Sequence, residues 1–559
     1  MYLSMTCILA SVASFALAAV GPLTTETVYV ETPLDTDGDG LLDRIYVQLE
    51  RPSGGSNLST ILAMSPYAMG GNTVPNHNVN VVRLPQDDPM TAGDKTSALH
   101  MKQQLASEAQ LEELRTQALE RGYASLTAHS LGTGRSKGCP SVGGDSETLA
   151  AKAVIDWLNG RARAFSTSGG VVAASWASGS VGMTGVSYNG TLPNMVATTG
   201  VEGLKAIVPV AAISSWYDYY RAGGLVVGPG GYVGEDADVL GKFIVRSGAC
   251  SNQIARITQT MGRESGDFHD FWQDRDYVAK ADGVRAAVFI MHGQADWNVR
   301  QRHAIQWWEA LQGRVPVKMW LHKGGHAHPS RSDTQDAMWA WFDRYVRGQS
   351  RDIADEAPVE VESPNGSWST QQAWPSELTS RHTFYLNPGH ALATVAAPQE
   401  YKRFLDAGRN TRLESMVGNY ARDHAARLAF ATEPFRVDRL LSGTPRVTLD
   451  LAVVNRRAAN ITVAVVAYDS LGTGTVVTRG WADPQNQADL AQGNLLIPGR
   501  RYIMTFDLEP KQYTFPRGTR LGVVVTGTDY DHTIRPEAGT EVAVTLGEAS
   551  AIDLDLSGE

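Results

Sequence analysis

The 559-residue chain is poor in cysteine, has no surplus of positive charge, and has no long apolar run. Each shortage excludes something. The 49 Lys and Arg stand against 59 Asp and Glu, a net charge of −10, which argues against nucleic acid or an anionic membrane as a partner. No stretch is long and apolar enough to span a bilayer. Residues Met1 to Ala19 are apolar and small, and Ala16-Leu17-Ala18 resembles an A-x-A cleavage site, so 1–19 reads as a signal peptide, although no Lys or Arg stands near its start. Three cysteines are too few for a disulfide scaffold. Cys7 falls in the signal segment, which leaves Cys139 and Cys250 either as one bridge in a secreted or periplasmic chain or as two buried thiols. No internal repeat is evident. The length calls for more than one core.

What is present is more specific. Gly185-Val186-Ser187-Tyr188-Asn189-Gly190 contains G-x-S-x-G between a short apolar strand pattern, Val181 to Val186, and a helical pattern, Thr191 to Thr199, closed by Gly200. Strand, tight turn and helix in that order hold a serine hydroxyl out at the edge of a sheet, in the nucleophile elbow of α/β-hydrolases. Flanking glycines suit it because the nucleophile sits in a strained conformation. An ordinary Gly-Ser loop is the competing reading.

Two later motifs weigh against that loop. Val288-Phe289-Ile290-Met291-His292-Gly293-Gln294-Ala295-Asp296 is an apolar run that delivers a carboxylate at its C-terminal end, where open α/β sheets place their sites. Val315 to His322 is another such run, followed by Lys323-Gly324-Gly325-His326. The order Ser187, Asp296, His326 is the order of the α/β-hydrolase triad. Asp296 could instead cap a helix over Asn298 to Gln312, and His328 competes with His326 as the base.

Strand patterns fall at Thr27–Glu31, Arg44–Glu50, Thr60–Met64, Ala124–Ala128, Val181–Val186, Ala206–Ala211, Ala286–Met291 and Val315–His322. Helical patterns separate the later ones. Leu149, Ala153 and Trp157 share a face with Ala150, Val154 and Leu158 before Gly160; Met338, Trp341, Phe342 and Tyr345 do so before Gly348. Two antiparallel strands followed by βα alternation predict a mostly parallel sheet of about eight strands over 20–349. An aromatic and glycine-rich insertion, 213–283, lies where a lid would cover the sheet's C-terminal edge. Residues 350–375 read as a polar linker within a second unit, 350–559. Its short runs Arg446–Val453, Ile461–Tyr468, Arg501–Leu508 and Leu521–Thr526 predict a β-sandwich of jelly-roll type. The turn carrying Asp35, Asp37, Asp39 and Asp43 resembles a calcium loop without its bidentate Glu. It reads equally as a solvated hairpin turn.

The segments Ala212-Ile213-Ser214-Ser215-Trp216-Tyr217-Asp218-Tyr219-Tyr220-Arg221 and Pro229 to Leu240, with the serine motif and Asp296-Trp297-Asn298-Val299, resemble the Xaa-Pro dipeptidyl-peptidases. The resemblance implies an α/β-hydrolase domain with an inserted lid and a C-terminal jelly roll. It implies release of N-terminal dipeptides with proline second from peptides with a free N-terminus, through an acyl-enzyme and with no required cofactor; a structural calcium stays open. It implies Ser187 as nucleophile, Asp296 as acid and His326 as base. Tyr67 and the amide of Tyr188 would form the oxyanion hole, Trp216 and Tyr219 the proline pocket, and Glu235 with Asn298 the amine site. Composition alone would assign Trp216 and Tyr219 to lid packing.

The chemistry fits these types. Imidazole takes the serine proton, a carboxylate fixes its tautomer, two donors meet the oxyanion, and flat rings suit pyrrolidine. The alternative is an esterase or amide acylase of the cocaine-esterase type, for which Glu235 would be pointless. A third class is a binding protein whose sandwich binds carbohydrate or cell wall beside an inert hydrolase domain; the intact Ser–Asp–His set argues against it. His129-Ser130-Leu131-Gly132-Thr133-Gly134 departs from the Asp-Arg-Gly-x-Gly of ester-cleaving relatives. The chain is also shorter than the lactic-acid-bacterial enzymes with their N-terminal helical domain. Dimerisation through such a domain is not expected, and the oligomeric state stays open.

Overall fold

Val288-Phe289-Ile290-Met291 is apolar at every position, which is what a strand covered on both faces requires. In the computed structural model, which describes residues 21–84 and 97–558, the strand Ala287–Gly293 is buried throughout. The signal-peptide expectation falls outside the described residues.

In chain order the strands are β1 (Leu23–Glu31), β2 (Arg44–Pro52), β3 (Leu58–Ser65), β4 (Ala124–His129), β5 (Ala164–Ser166), β6 (Ala177–Val186) and β7 (Leu204–Val210). A two-stranded hairpin follows, β8 (Arg221–Ala222) and β9 (Leu225–Val226), then β10 (Ala287–Gly293), β11 (Val317–His322), β12 (Val359–Glu362) and β13 (Trp368–Gln371). All but the hairpin form one sheet in the order β13-β12-β11-β10-β7-β6-β3-β4-β2-β1-β5. The run from β12 to β4 is parallel. The β1–β2 hairpin, β5 and β13 add antiparallel edges.

The expected strands are all present, and the sheet extends beyond them. The stretch read as a linker contributes β12 and β13. Val359 to Glu362 is only four residues long, too short for its alternation to stand out. A 24-residue helix, Ser97–Glu120, was not expected from the sequence either. It carries almost no apolar stripe to betray it.

Helices Asp145–Leu158, Tyr188–Ala197, Arg302–Leu311 and Thr334–Tyr345 flank the sheet. The first buries Ala150, Ala151, Val154, Ile155, Trp157 and Leu158. Between β7 and β10 the lid segment folds as helices Trp216–Tyr220, Ala237–Ile244 and Ser251–Thr260 with the β8–β9 hairpin. Two of its buried aspartates are paired with cations. Arg221 and Arg263 meet Asp236 at 3.0 and 2.8 Å, and His77 and Lys242 meet Asp238 at 2.8 and 2.6 Å. Burial would raise the Asp238 carboxyl, yet His77 and Lys242 together hold it well below its ordinary value.

The C-terminal domain is β-rich. Thirteen strands between Thr379 and Ser557 join one sheet system around a core that includes Leu449, Val463, Val523 and Leu554.

Cys139 and Cys250 form a disulfide with a Cα–Cα distance of 5.4 Å. Cys139 lies in the loop after β4 and Cys250 in the lid, so the bridge ties lid to sheet across a sequence separation of 111. Closing so long a loop restricts the unfolded chain and contributes about 2–4 kcal/mol. The double variant Cys139→Ser/Cys250→Ser is expected to lose that much stability in denaturant titration. Two thiols freely alkylated in the native protein would contradict the bridge.

Candidate active site

β6 ends at Val186 and the next helix begins at Tyr188, so Ser187 alone makes the turn. It does so at φ 63° and ψ −130°, a region costly for any residue but glycine. Hydrogen bonds hold it there. The Ser187 N–H donates to Val210 O at 2.9 Å, and its carbonyl accepts from the N–H groups of Gly190 and Thr191 at 3.0 and 2.9 Å. The flanking glycines are obligatory. A Cβ on Gly185 would lie 2.5 Å from Asn189 O, and one on Gly190 would lie 2.5 Å from Gly185 O.

Asp296 follows β10 and is buried. Its Oδ1 accepts the amides of Asn298 and Val299, both at 3.0 Å, and its Oδ2 lies 2.7 Å from His326 Nδ1. The next helix starts only at Arg302 with Gln301 at its cap, so Asp296 is not that helix's N-cap. The loops bearing Asp296 and His326 are in direct contact. Ala295 N–H donates to Gly324 O at 3.0 Å, and a Cβ on Gly293 would lie 2.2 Å from Gly325 O.

With Nδ1 donating to the carboxylate, His326 presents Nε2 as an acceptor, and that buried nitrogen has no protein partner. His328 lines a small cavity with Gly185, Asn189 and Met338, and burial lowers its pKa to about 4. The Asp296 contact therefore selects His326 over His328.

Tyr188 opens its helix, so its N–H belongs to the first-turn amides that have no acceptor within the helix. The Tyr67 ring lies 6.1 Å from that of Tyr188. Burial, then Glu235, Tyr232 and Glu147, push the Tyr67 hydroxyl pKa far up, so it stays a neutral donor.

A residue that sequence reasoning missed lies beneath. Glu147 is fully buried and accepts from Ser130 Oγ at 2.8 Å, Gly143 N–H at 2.9 Å and Tyr188 Oη at 2.7 Å. Burial raises its pKa despite these donors. No motif marks it; the signal was only an acidic residue in the first turn of a helix.

The lid supplies an aromatic group. Trp216 packs edge-on against Tyr188 and Tyr219, with centroids 4.9 and 5.8 Å apart, and lies near-parallel to Tyr220 at 6.1 Å. Its Nε1 donates to Tyr277 Oη at 2.8 Å. Tyr219 Oη donates to Asn298 Oδ1 at 2.8 Å, and Tyr220 Oη donates to the buried Glu235 at 2.8 Å. Trp216, Tyr219, Glu235 and Asn298 are thus connected, with Tyr220 as a link that the sequence reading did not single out.

The aspartate turn is different. One oxygen from each of Asp35, Asp37 and Asp39 lies within 4.8 Å of the others, a set that could hold a hard cation. Asp43 does not join them. Its buried carboxylate accepts from Thr36 N–H at 2.8 Å and Thr36 Oγ1 at 2.6 Å. The loop is also the β1–β2 hairpin connection, as the competing reading expected.

Residues 37–328 match the family model described as X-Pro dipeptidyl-peptidase (S15 family), and residues 351–558 that of the X-Pro dipeptidyl-peptidase C-terminal non-catalytic domain. A Bacillus anthracis protein provisionally named a Xaa-Pro dipeptidyl-peptidase is 40% identical over 537 residues, covering 94% of this chain and 87% of its own. The Xaa-Pro dipeptidyl-peptidase of Streptococcus thermophilus is 32% identical over 605 residues, covering 96% and 78%. Among solved structures, a CocE/NonD family hydrolase from Staphylococcus aureus superposes with a TM-score of 0.67 at 14% identity, covering 98% and 99%. That likeness shows the α/β-hydrolase fold.

Ser187, Asp296 and His326 are the side-chain types that acyl transfer to a serine needs. Ser187→Ala and His326→Ala are each expected to lower turnover of a chromogenic acyl ester by at least on the order of a thousandfold, since triad members act as a unit. His328→Ala should retain activity. The reverse pattern would reassign the base.

Proposed function

The chain belongs to the X-Pro dipeptidyl-peptidase family, and on that premise we propose how its own residues release an N-terminal Xaa-Pro dipeptide. It is a serine exopeptidase. Ser187 Oγ attacks the proline carbonyl carbon while His326 Nε2 takes its proton. The negative charge passes to the carbonyl oxygen, where the Tyr188 N–H and Tyr67 hydroxyl meet it. Losing one such donor typically costs a hundredfold or more in rate. As the intermediate collapses, His326 returns the proton to the departing amine and the dipeptidyl group stays on Ser187. Water, deprotonated by His326, then repeats the attack and frees the dipeptide.

One observation carries the exopeptidase reading: a carboxylate, Glu235, is buried beside Tyr220 within the lid's aromatic group. A buried carboxylate there suits the substrate's ammonium. We place Tyr219 against the pyrrolidine with the buried Trp216 packed edge-on behind it, and Asn298, which accepts from Tyr219, stands two residues after Asp296. The alternative, an esterase or amide acylase, is supported by the CocE/NonD-like fold, but a neutral acyl group gives Glu235 no counterion.

We also propose export to the cell exterior or periplasm, supported by the apolar first 19 residues and the disulfide. Fractionation placing the native chain in the cytosol would overturn it. The proposed chemistry calls on no cofactor. The one metal role proposed is structural, Ca²⁺ in the Asp35–Asp37–Asp39 turn. It should show as a Ca²⁺-dependent rise in Tm that Asp37→Asn removes. The C-terminal strands are read as a jelly roll, which a crystal structure would check by their order.

The amine requirement is testable. Acetyl-Ala-Pro-p-nitroanilide offers Glu235 no cation, and a hydrogen bond to a charged group contributes about 1.5–3 kcal/mol. Its kcat/KM should fall about 10- to 100-fold below that of Ala-Pro-p-nitroanilide, and Glu235→Gln should narrow the gap. Equal cleavage of both by the wild type would favour the acylase.

A further inference from the structure

The helix that carries Trp216 and Tyr219 has only five residues, too few to hold its own shape. Its far end is gripped from the acid loop. The Arg300 guanidinium donates to Asp218 O and, at 3.4 Å, to Arg221 O. A cation suits carbonyls at a helix C-terminus. Arg300 is itself 1% exposed, and a buried guanidinium needs a counter-charge.

That charge comes from the other domain. Glu509 lies between the C-terminal strands Arg501–Asp507 and Lys511–Phe515 and is 3% exposed. Its Oε1 is 3.0 Å from Arg300 Nε and 3.2 Å from Arg302 Nε. Arg302 in turn lies 3.7 Å from the Asp218 carboxylate. The Trp481 ring lies 5.3 Å from the Arg300 guanidinium, and Trp297, beside Asp296, packs on Trp481 and His532 at 6.3 and 5.4 Å. The lid segment leading to Glu235 is tied to the same domain. Gly228 N–H donates to His532 O at 2.6 Å, and Val227 pairs with Thr533.

We propose that Glu509, in the domain described as non-catalytic, is a positioning residue for the substrate pocket. It acts through Arg300 on the helix Trp216–Tyr220. This rests on the reading that Tyr219, backed by Trp216, lines that pocket. Without Glu509 the two arginines repel, Arg300 loosens its hold on Asp218 O and Arg221 O, and the rings lose their place. Ser187, Tyr188, Asp296 and His326 are held by other contacts.

The test compares two substrates on the full chain. Ala-Pro-p-nitroanilide needs the pocket, whereas p-nitrophenyl acetate needs only nucleophile, base and oxyanion donors. Glu509→Gln is expected to raise KM for the dipeptide anilide about tenfold with kcat within about twofold, the signature of lost ground-state and transition-state binding in equal measure. Its kcat/KM for the acetate should stay within about twofold of wild type. Glu509→Asp keeps the charge at shorter reach and should give an intermediate KM, which preserves the test if the Gln variant does not fold. An unchanged dipeptide KM in both variants, or equal losses on both substrates, would overturn the proposal. Failure of the exopeptidase reading shows separately, as wild type cleaving acetylated and free anilides equally. The KM shift would then be read on the acetylated anilide.

Discussion

Ser187 holds a left-handed backbone conformation, φ 63°, and the catalytic end of the sheet is arranged around it. The conformation persists because neighbouring structure over-determines it: β7 accepts its N–H through Val210, and two helical amides converge on its carbonyl. Gly185 and Gly190 pass so close that a methyl group on either would collide with backbone. The turn exposes the hydroxyl and also points the first helical N–H groups to its side. The proposed nucleophile and one proposed oxyanion donor thus come from a single backbone event.

The proposed partners of Ser187 depend on parallel strands ending together. β10 and β11 run side by side, so Asp296 and His326 emerge on adjacent loops whose backbones meet at Gly293 and Gly324. Asp296 is held by two amides before it meets the imidazole, which makes the carboxylate a fixed support. Below the elbow, Glu147 joins the β4 loop at Ser130 and Gly143 to the Tyr188 side chain. Buried polar networks of this kind are costly unless satisfied, and rigid once they are.

The lid differs in character. Its aromatic helix is short, and its order comes from outside: from Tyr277 at one end, from Asn298 and Arg300 on the acid loop, and from Glu509 across the domain boundary. The disulfide adds a covalent tether between Cys250 in the lid and Cys139 in the loop after β4. Sheet, lid and C-terminal domain therefore meet around one set of side chains, and the specificity proposed here is a property of that meeting.

The candidate triad was legible in the sequence where a member carries a local signature. A strained turn demands glycines at fixed offsets, and a buried strand demands an unbroken apolar run before its functional residue. Those demands act within a few residues, so they leave a pattern at Gly185–Gly190 and at Val288–Asp296. The lid residues were reached only by resemblance, since aromatic side chains in a lid look the same whether they pack or bind. The sequence favoured His326 with His328 as a close competitor, and in the fold it is His326 that meets the Asp296 carboxylate. The same holds for Cys139 with Cys250, for Asp43 turning away from the other three aspartates, and for Glu147 and Glu509. What these share is contact between residues remote in the chain. Such contacts impose no spacing, so only the folded structure could reveal them.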